Sequence, residues 1–169
     1  RLSMERATGR DIRFTINLSG STMVDKSIGH DIKEMLKEFD IAGDLITFEI
    51  TETCAITNIG AANKLISELK EVGCLFALDD FGSGFSSFGH LKHLDIDYVK
   101  IDGMFIQGII SDTMDKAVVQ SINQIAHSFN KKTVAEYVDN SEIVEILDAI
   151  GVDYAQGYFV SKPKPTLGF

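Results

Sequence analysis

With 169 residues, 44% hydrophobic and 24% charged, the chain suits one globular domain with a sizeable core. No apolar run approaches the roughly 20 residues of a membrane-spanning helix, and the polar start from Arg1 to Asp11 lacks the apolar stretch of a secretory signal. A net charge of −9 with scattered Lys and Arg excludes the basic stripe that a groove for a nucleic acid polymer requires.

The chain starts at Arg1 without an initiator Met, as a piece of a longer protein would. Cys54 and Cys74 have neither zinc-site nor redox-pair spacing, so they read as core residues of a protein in a reducing cytosol.

In chain order, Ile12 to Leu18 alternates apolar and polar residues with the period of a strand. Ile28, Ile32, Met35 and Phe39 recur at helical spacing. Leu45 to Thr51 is rich in β-branched and aromatic residues, and predicts a second strand. Leu65, Ile66, Leu69 and Val72 mark a helix closed by Gly73. A strand at Leu75 to Leu78 leads into a Gly/Ser-rich loop, Gly82 to Ser87, then a short helix and a strand at Asp97 to Ile101. Val118, Ile122, Ile125 and Phe129 predict the clearest helix, and Lys132 to Ala135 a further strand. Asn140 or Ser141 is placed to cap a helix with Ile143, Ile146, Leu147 and Ile150 on its inner face. A last strand is expected around Tyr154 to Tyr158.

Strands alternating with helices imply a parallel sheet covered by helices. An open doubly wound sheet and a partial (β/α)8 TIM-like barrel both satisfy that pattern. No Gly-rich dinucleotide fingerprint follows the first strand, whereas polar residues recur where strands end, as in barrels. The barrel is therefore favoured. A closed one takes about 250 residues, so about six of eight β/α units are expected here, in a single domain spanning 1–169.

The strand ends carry Asn17, Glu49, the pair Asp79 and Asp80, Lys100, Glu136 and Gln156. Carboxylates crowded on one rim repel one another unless a cation joins them. With oxygen ligands only, the expected cofactor is Mg²⁺ or Mn²⁺, and such metals serve phosphoryl chemistry. His90 and His93 share a helical face with no acidic or Cys partner nearby, and read as surface residues.

These stretches resemble a known family, the EAL domains that hydrolyse cyclic di-GMP. Ile16-Asn17-Leu18-Ser19 looks like its strand-end Asn motif, and Glu49-Ile50-Thr51-Glu52 like its E-x-T-E. The run from Asp79 to Ser87 is similar to D-D-F-G-T-G-Y-S-S, with Ser for Thr and Phe for Tyr. Val99-Lys100-Ile101-Asp102 resembles L-K-I-D, and Gln156 to Pro163 resembles Q-G-Y-x-x-S-x-P.

The resemblance implies that Asn17, Glu49, Asp79, Asp80 and Glu136 hold two metal ions. Lys100, Glu136 and Gln156 would then act on water and phosphate, with Glu52 holding the loop after Asp80. Asp102, Ser83 and Asp139 would face the substrate. The product would be linear pGpG. The same resemblance implies that the loop from Phe81 to Ser87 couples the site to a homodimer, and that sensory or GGDEF domains flank it in a cytoplasmic or membrane-anchored parent protein. Strand edges left open where about two strands are missing invite pairing with another copy, so a domain-swapped dimer is also expected.

Two features depart from the family. Its A-E-G-V-E reads Ala135-Glu136-Tyr137-Val138-Asp139 here. If position 137 takes a positive φ, Tyr is strained there; otherwise it narrows the pocket. The Glu-Ala-Leu motif does not occur in the chain, so the segment carrying it, with one ligand and about two strands, is expected upstream of Arg1, and this piece alone is expected to be weak or inactive. A catalytically degenerate domain that binds cyclic di-GMP or a protein partner as a sensor or scaffold is the alternative. A barrel acting on another phosphoester is a third reading.

Overall fold

The computed structural model of the protein describes residues 12–83 and 89–163. The polar start and most of the Gly/Ser-rich loop, 84–88, lie outside the described residues. Six strands follow one another in the sheet in chain order, with helices between them, which is the arrangement of consecutive β/α units expected from the sequence. The described residues divide into two compact units, 12–78 with 89–97 and 79–83 with 98–163. No described helix is long and apolar enough to cross a membrane.

The first unit opens with β1 (Phe14–Asn17), α1 (Gly20–Met23) and α2 (Ile28–Glu38), followed by β2 (Ile46–Thr51). Parallel pairing sets Phe14 beside Ile46 and Asn17 beside Glu49. In β2 the residues Ile46, Phe48 and Ile50 are buried and alternate with half-buried Thr47, Glu49 and Thr51, because successive side chains of a strand leave on opposite faces. Phe48 packs its ring 5.6 Å from that of Phe76, and a large apolar side chain buried in this way contributes about 1.5–3 kcal/mol.

Then come α3 (Glu52–Thr57), α4 (Ile59–Lys70) and β3 (Leu75–Phe81). Ala62, Leu65, Ile66 and Leu69 form the buried stripe of α4, at the spacing of one helical face. Gly73 ends that helix at φ +89, as its sequence position predicts, but Val72 is left exposed. Cys74 is buried and Cys54 half-buried, both as free thiols. Of the apolar face expected on α2, Ile32 is buried whereas Met35 and Phe39 are exposed. These side chains line an apolar groove of about 530 Å³ with Phe14, Ile16 and Phe48.

The second unit contains the end of β3, then β4 (Tyr98–Ile101), α5 (Gly103–Gly108), α6 (Thr113–Ser128), β5 (Lys132–Ala135), α7 (Ser141–Ile150) and β6 (Tyr154–Ala155). The pairs β4/β5 and β5/β6 are parallel. Asn140 caps α7, its side chain accepting the Ile143 N–H at 3.0 Å, and Gly151 closes it at φ +85. In α6 the buried stripe is Val119, Ile122, Asn123 and Ala126, which keeps Ile122 of the anticipated face Val118, Ile122, Ile125 and Phe129 but otherwise lies one step from it. A polar contact shifts it: buried Thr133 donates its hydroxyl to Asn123 Oδ1 at 2.6 Å, and Asn123 Nδ2 donates to the carbonyls of Ile150 and Gly151. An apolar count of the helix misses a buried Asn of this kind.

One device recurs at the start of two strands. Asp97, just before β4, accepts the Phe76 N–H at 2.8 Å and the Lys70 ammonium at 2.7 Å. Asp153, just before β6, accepts the Thr133 N–H at 2.8 Å and contacts His127 Nε2 at 2.7 Å. In each case a carboxylate satisfies a backbone donor on the preceding strand of the same unit. At Asp153 burial raises the pKa, but the hydrogen bonds from Thr133 and His127 and the histidine's charge outweigh it, and the net shift is downward.

A carboxyl with a lowered folded pKa stabilises above the unfolded value of about 3.9, and that contribution disappears as pH falls through the folded value. Asp153→Ala is therefore expected to cost about 1–3 kcal/mol at pH 7, lowering Tm by roughly 2–4 °C per kcal/mol. Thermal melts from pH 7 to pH 2 check this: the gap between variant and wild type narrows below about pH 4. An equal gap at every pH would contradict the ionic origin of the effect.

Candidate metal centre

The second unit gathers four of the strand-end residues into one cluster. The register of β4 and β5 places Lys100 beside Val134, so Glu136, two residues further on, leaves on the same face. Lys100 is buried, with Nζ 2.8 Å from Glu136 Oε1 and 2.7 Å from Asp79 Oδ1. Asp79 and Asp80 share this end although consecutive strand residues normally diverge. The reason is a left-handed turn: Asp80 takes φ +55, a conformation that a short acidic side chain tolerates. Ser83 secures that turn, its hydroxyl donating to the Asp80 carbonyl at 2.9 Å.

β3 is longer than expected from the sequence because it runs through these acids to Phe81, which is buried and accepts the Asp102 N–H at 3.3 Å. Asp102 caps α5, its Oδ1 accepting the Met104 N–H at 2.9 Å. The turn after Glu136 is fixed as well. Tyr137 takes φ +54, which settles the conditional reading of that position: it is one that favours Gly. Val138 donates its N–H to the Gln156 carbonyl at 3.0 Å, and Gln156 N–H donates to Ala135 at 2.8 Å. Gly157 packs directly on the Val138 backbone, where a Cβ would lie 2.7 Å from its carbonyl carbon.

Burial raises the pKa of Glu136, which Lys100 opposes and the charges of Asp79 and Asp80 reinforce. Burial likewise raises Asp80, aided by Asp79 and Asp102 and opposed by Lys100. One ammonium thus faces three carboxylates. Oxygens of Asp79, Asp80 and Glu136 lie within 4.8 Å of one another, and Asp79 Oδ1 is buried with no aligned hydrogen bond among the described residues. A hard divalent cation fits this donor set: it takes carboxylate oxygens and removes the negative excess.

Beside the cluster a cavity of about 500 Å³ is lined by Gln107, Glu136, Tyr137, Asp139, Gln156, Gly157 and Tyr158. Asp139 is exposed and accepts the Asn140 side-chain amide at 2.7 Å. Gln107 carries no signal in the sequence, since it sits at no strand end, and Tyr158, although part of the Q-G-Y stretch, is not among the expected site residues. In the first unit, Asn17 at the end of β1 pairs with Glu49, two residues before the end of β2, and the Leu18 N–H donates to the Glu49 carbonyl at 2.8 Å. Glu52 is buried in the first turn of α3. His93 is exposed and His90 half-buried, neither in the cluster.

Known proteins resemble this chain in sequence and in fold. The chain is 40% identical over 168 residues to the cyclic di-GMP phosphodiesterase PdeB of Shewanella oneidensis, covering 99% of this chain and 20% of that protein. It is 39% identical over 155 residues to the cyclic di-GMP phosphodiesterase PdeF of Escherichia coli, covering 92% and 21%. The chain therefore spans about a fifth of the length of these relatives. Among solved structures, the PaMucR phosphodiesterase in complex with c-di-GMP superposes with a TM-score of 0.91 at 28% identity, covering 98% of this chain and 67% of that one. The fold is accordingly α/β and part of a (β/α)8 barrel. The model of the EAL domain matches residues 1–163, and the chain belongs to that family.

Proposed function

We propose that this chain is the metal-binding part of a phosphodiesterase domain that hydrolyses cyclic di-GMP to linear pGpG. The observation that carries the reading is the buried Lys100 ammonium held between Asp79 and Glu136, with Asp80 alongside. The names and ligand of the relatives support the substrate. Asp79, Asp80 and Glu136 would hold Mg²⁺ or Mn²⁺, two ions in the full reading, and motif resemblance adds Asn17 and Glu49 as ligands. Such a cation supplies Lewis-acid charge to the phosphodiester and to water.

The chain's own groups do the rest. Lys100, held between its two carboxylates, orients the attacking water and the phosphoryl oxygens. Gln156 contributes an amide at the rim. Water adds its oxygen to phosphorus, one ribose P–O bond breaks, and a proton reaches the leaving oxygen. A cytoplasmic site, flanking sensory or GGDEF domains and a homodimer, domain-swapped in one version, belong to the same proposal. Tyr137, strained beside Glu136, favours a second reading, a domain that binds the dinucleotide without cleaving it.

Full-length protein incubated with cyclic di-GMP and Mn²⁺ should yield pGpG by chromatography. Asp79→Asn and Lys100→Met should each lower kcat about 100-fold or more, and chelation should abolish turnover. Tight binding without product in the wild type would establish the second reading instead. Residues 1–169 alone, which cover 67% of the matching phosphodiesterase structure, should turn over little or none; robust hydrolysis by that piece would refute this. Light scattering at micromolar concentration should report a dimer, and a clean monomer would end that part of the proposal.

A further inference from the structure

We infer that Tyr137 is the wall on which a purine base of the ligand stacks, so that a backbone strain at this position is retained for binding; this rests on the cyclic di-GMP reading above. Among the described residues four non-glycine positions have positive φ: Asp40, Asp80, Asn130 and Tyr137. The first three are the short polar types that tolerate the left-handed region. Tyr is not, and such a residue persists only where the surroundings dictate its backbone. Here they do, through the Val138 N–H bond to Gln156 and the packing of Gly157 on Val138.

The ring is not in the core. Tyr137 is 63% exposed, so burial does not account for it. Its orientation is nevertheless set, because Gly103 at the start of α5 leaves the space the ring occupies: a Cβ built on Gly103 would lie 2.7 Å from Tyr137 Cγ. Tyr137 lines the cavity beside Glu136 together with a second exposed ring, Tyr158, and with Gln107 and Asp139. Aromatic faces suit the face of a base, and a carboxylate and an amide suit the donors and acceptors on its edge.

The test uses full-length protein carrying Tyr137→Gly, Tyr137→Phe or Tyr137→Trp. Glycine relieves the left-handed strain, so its Tm without ligand should rise by roughly 2–4 °C. Loss of one stacked base should raise its KM for cyclic di-GMP roughly 5- to 150-fold with kcat nearly unchanged, while the Phe variant keeps the wild-type KM. The chain contains no Trp, so the Trp variant adds one reporter to this domain, whose emission relative to wild type should be quenched by cyclic di-GMP. An unchanged KM in the Gly variant, or no quenching at saturation, overturns the inference while leaving the phosphodiesterase reading intact. If the wild type neither binds nor cleaves cyclic di-GMP, that reading fails; GMP then serves as the probe, and quenching by it sustains the stacking wall whereas no quenching ends both.

Discussion

An ammonium group with almost no access to water is the constraint around which the second unit is organised. Lys100 is 4% exposed, and a buried charge of this kind is tolerated only with opposite charge and good geometry beside it. Asp79 and Glu136 supply both, at 2.7 and 2.8 Å. Each comes from a strand end adjoining β4 in the sheet order, so the pairing depends on strand register. A slip of one residue in β5 would turn Glu136 to the opposite face and leave Lys100 with one partner.

Three carboxylates around one ammonium overshoot neutrality, and the overshoot is what makes the cluster more than a structural ion pair. A buried pair alone would be complete with Asp79 or Glu136. The third acid, Asp80, is brought in by a left-handed turn that Ser83 secures. Burial, and after it repulsion among the acids, raise Asp80 and Glu136, which is a cost in folding and an advantage only to something positively charged that binds there. Asp97 and Asp153 show the contrast. They accept backbone donors at the opposite, starting ends of strands, and Asp153 is lowered rather than raised. Asp97 and Asp153, at strand starts, stabilise the fold, whereas Asp80 and Glu136, at strand ends, burden it.

The strand ends were legible because parallel strands write a simple code: an apolar run, then a polar residue that the run cannot bury. Asn17, Glu49, Asp79, Lys100 and Glu136 could be picked out in that way, and register did bring Lys100 and Glu136 to one face. Other features leave no such mark. Nothing in the residues around position 137 dictates φ +54; it arises from the hydrogen bond to Gln156, nineteen positions away. The buried Asn123 was invisible for the same reason, since its partners Thr133, Ile150 and Gly151 come from distant segments. The spacing on α2 is amphipathic, but amphipathicity says only that a face is apolar, and Met35 and Phe39 show that an apolar face need not be covered.

The two turns that end β3 and follow β5 share one form. A strand-end acid, Asp79 or Glu136, is followed by a residue at φ +55 or +54. The left-handed step kinks the chain immediately after the acid and so sets the direction in which that acid points. At Asp80 the turn residue is itself an acid of the cluster, so conformation and chemistry agree. At Tyr137 they conflict, since the backbone favours Gly while the sequence places a bulky aromatic there. Local sequence and global fold normally agree, and a disagreement tends to mark a functional position. The conflict sits one peptide from Glu136, at the mouth of the cavity, and not in the core. Strain placed there cannot be a packing compromise, because 63% of the residue's surface remains open.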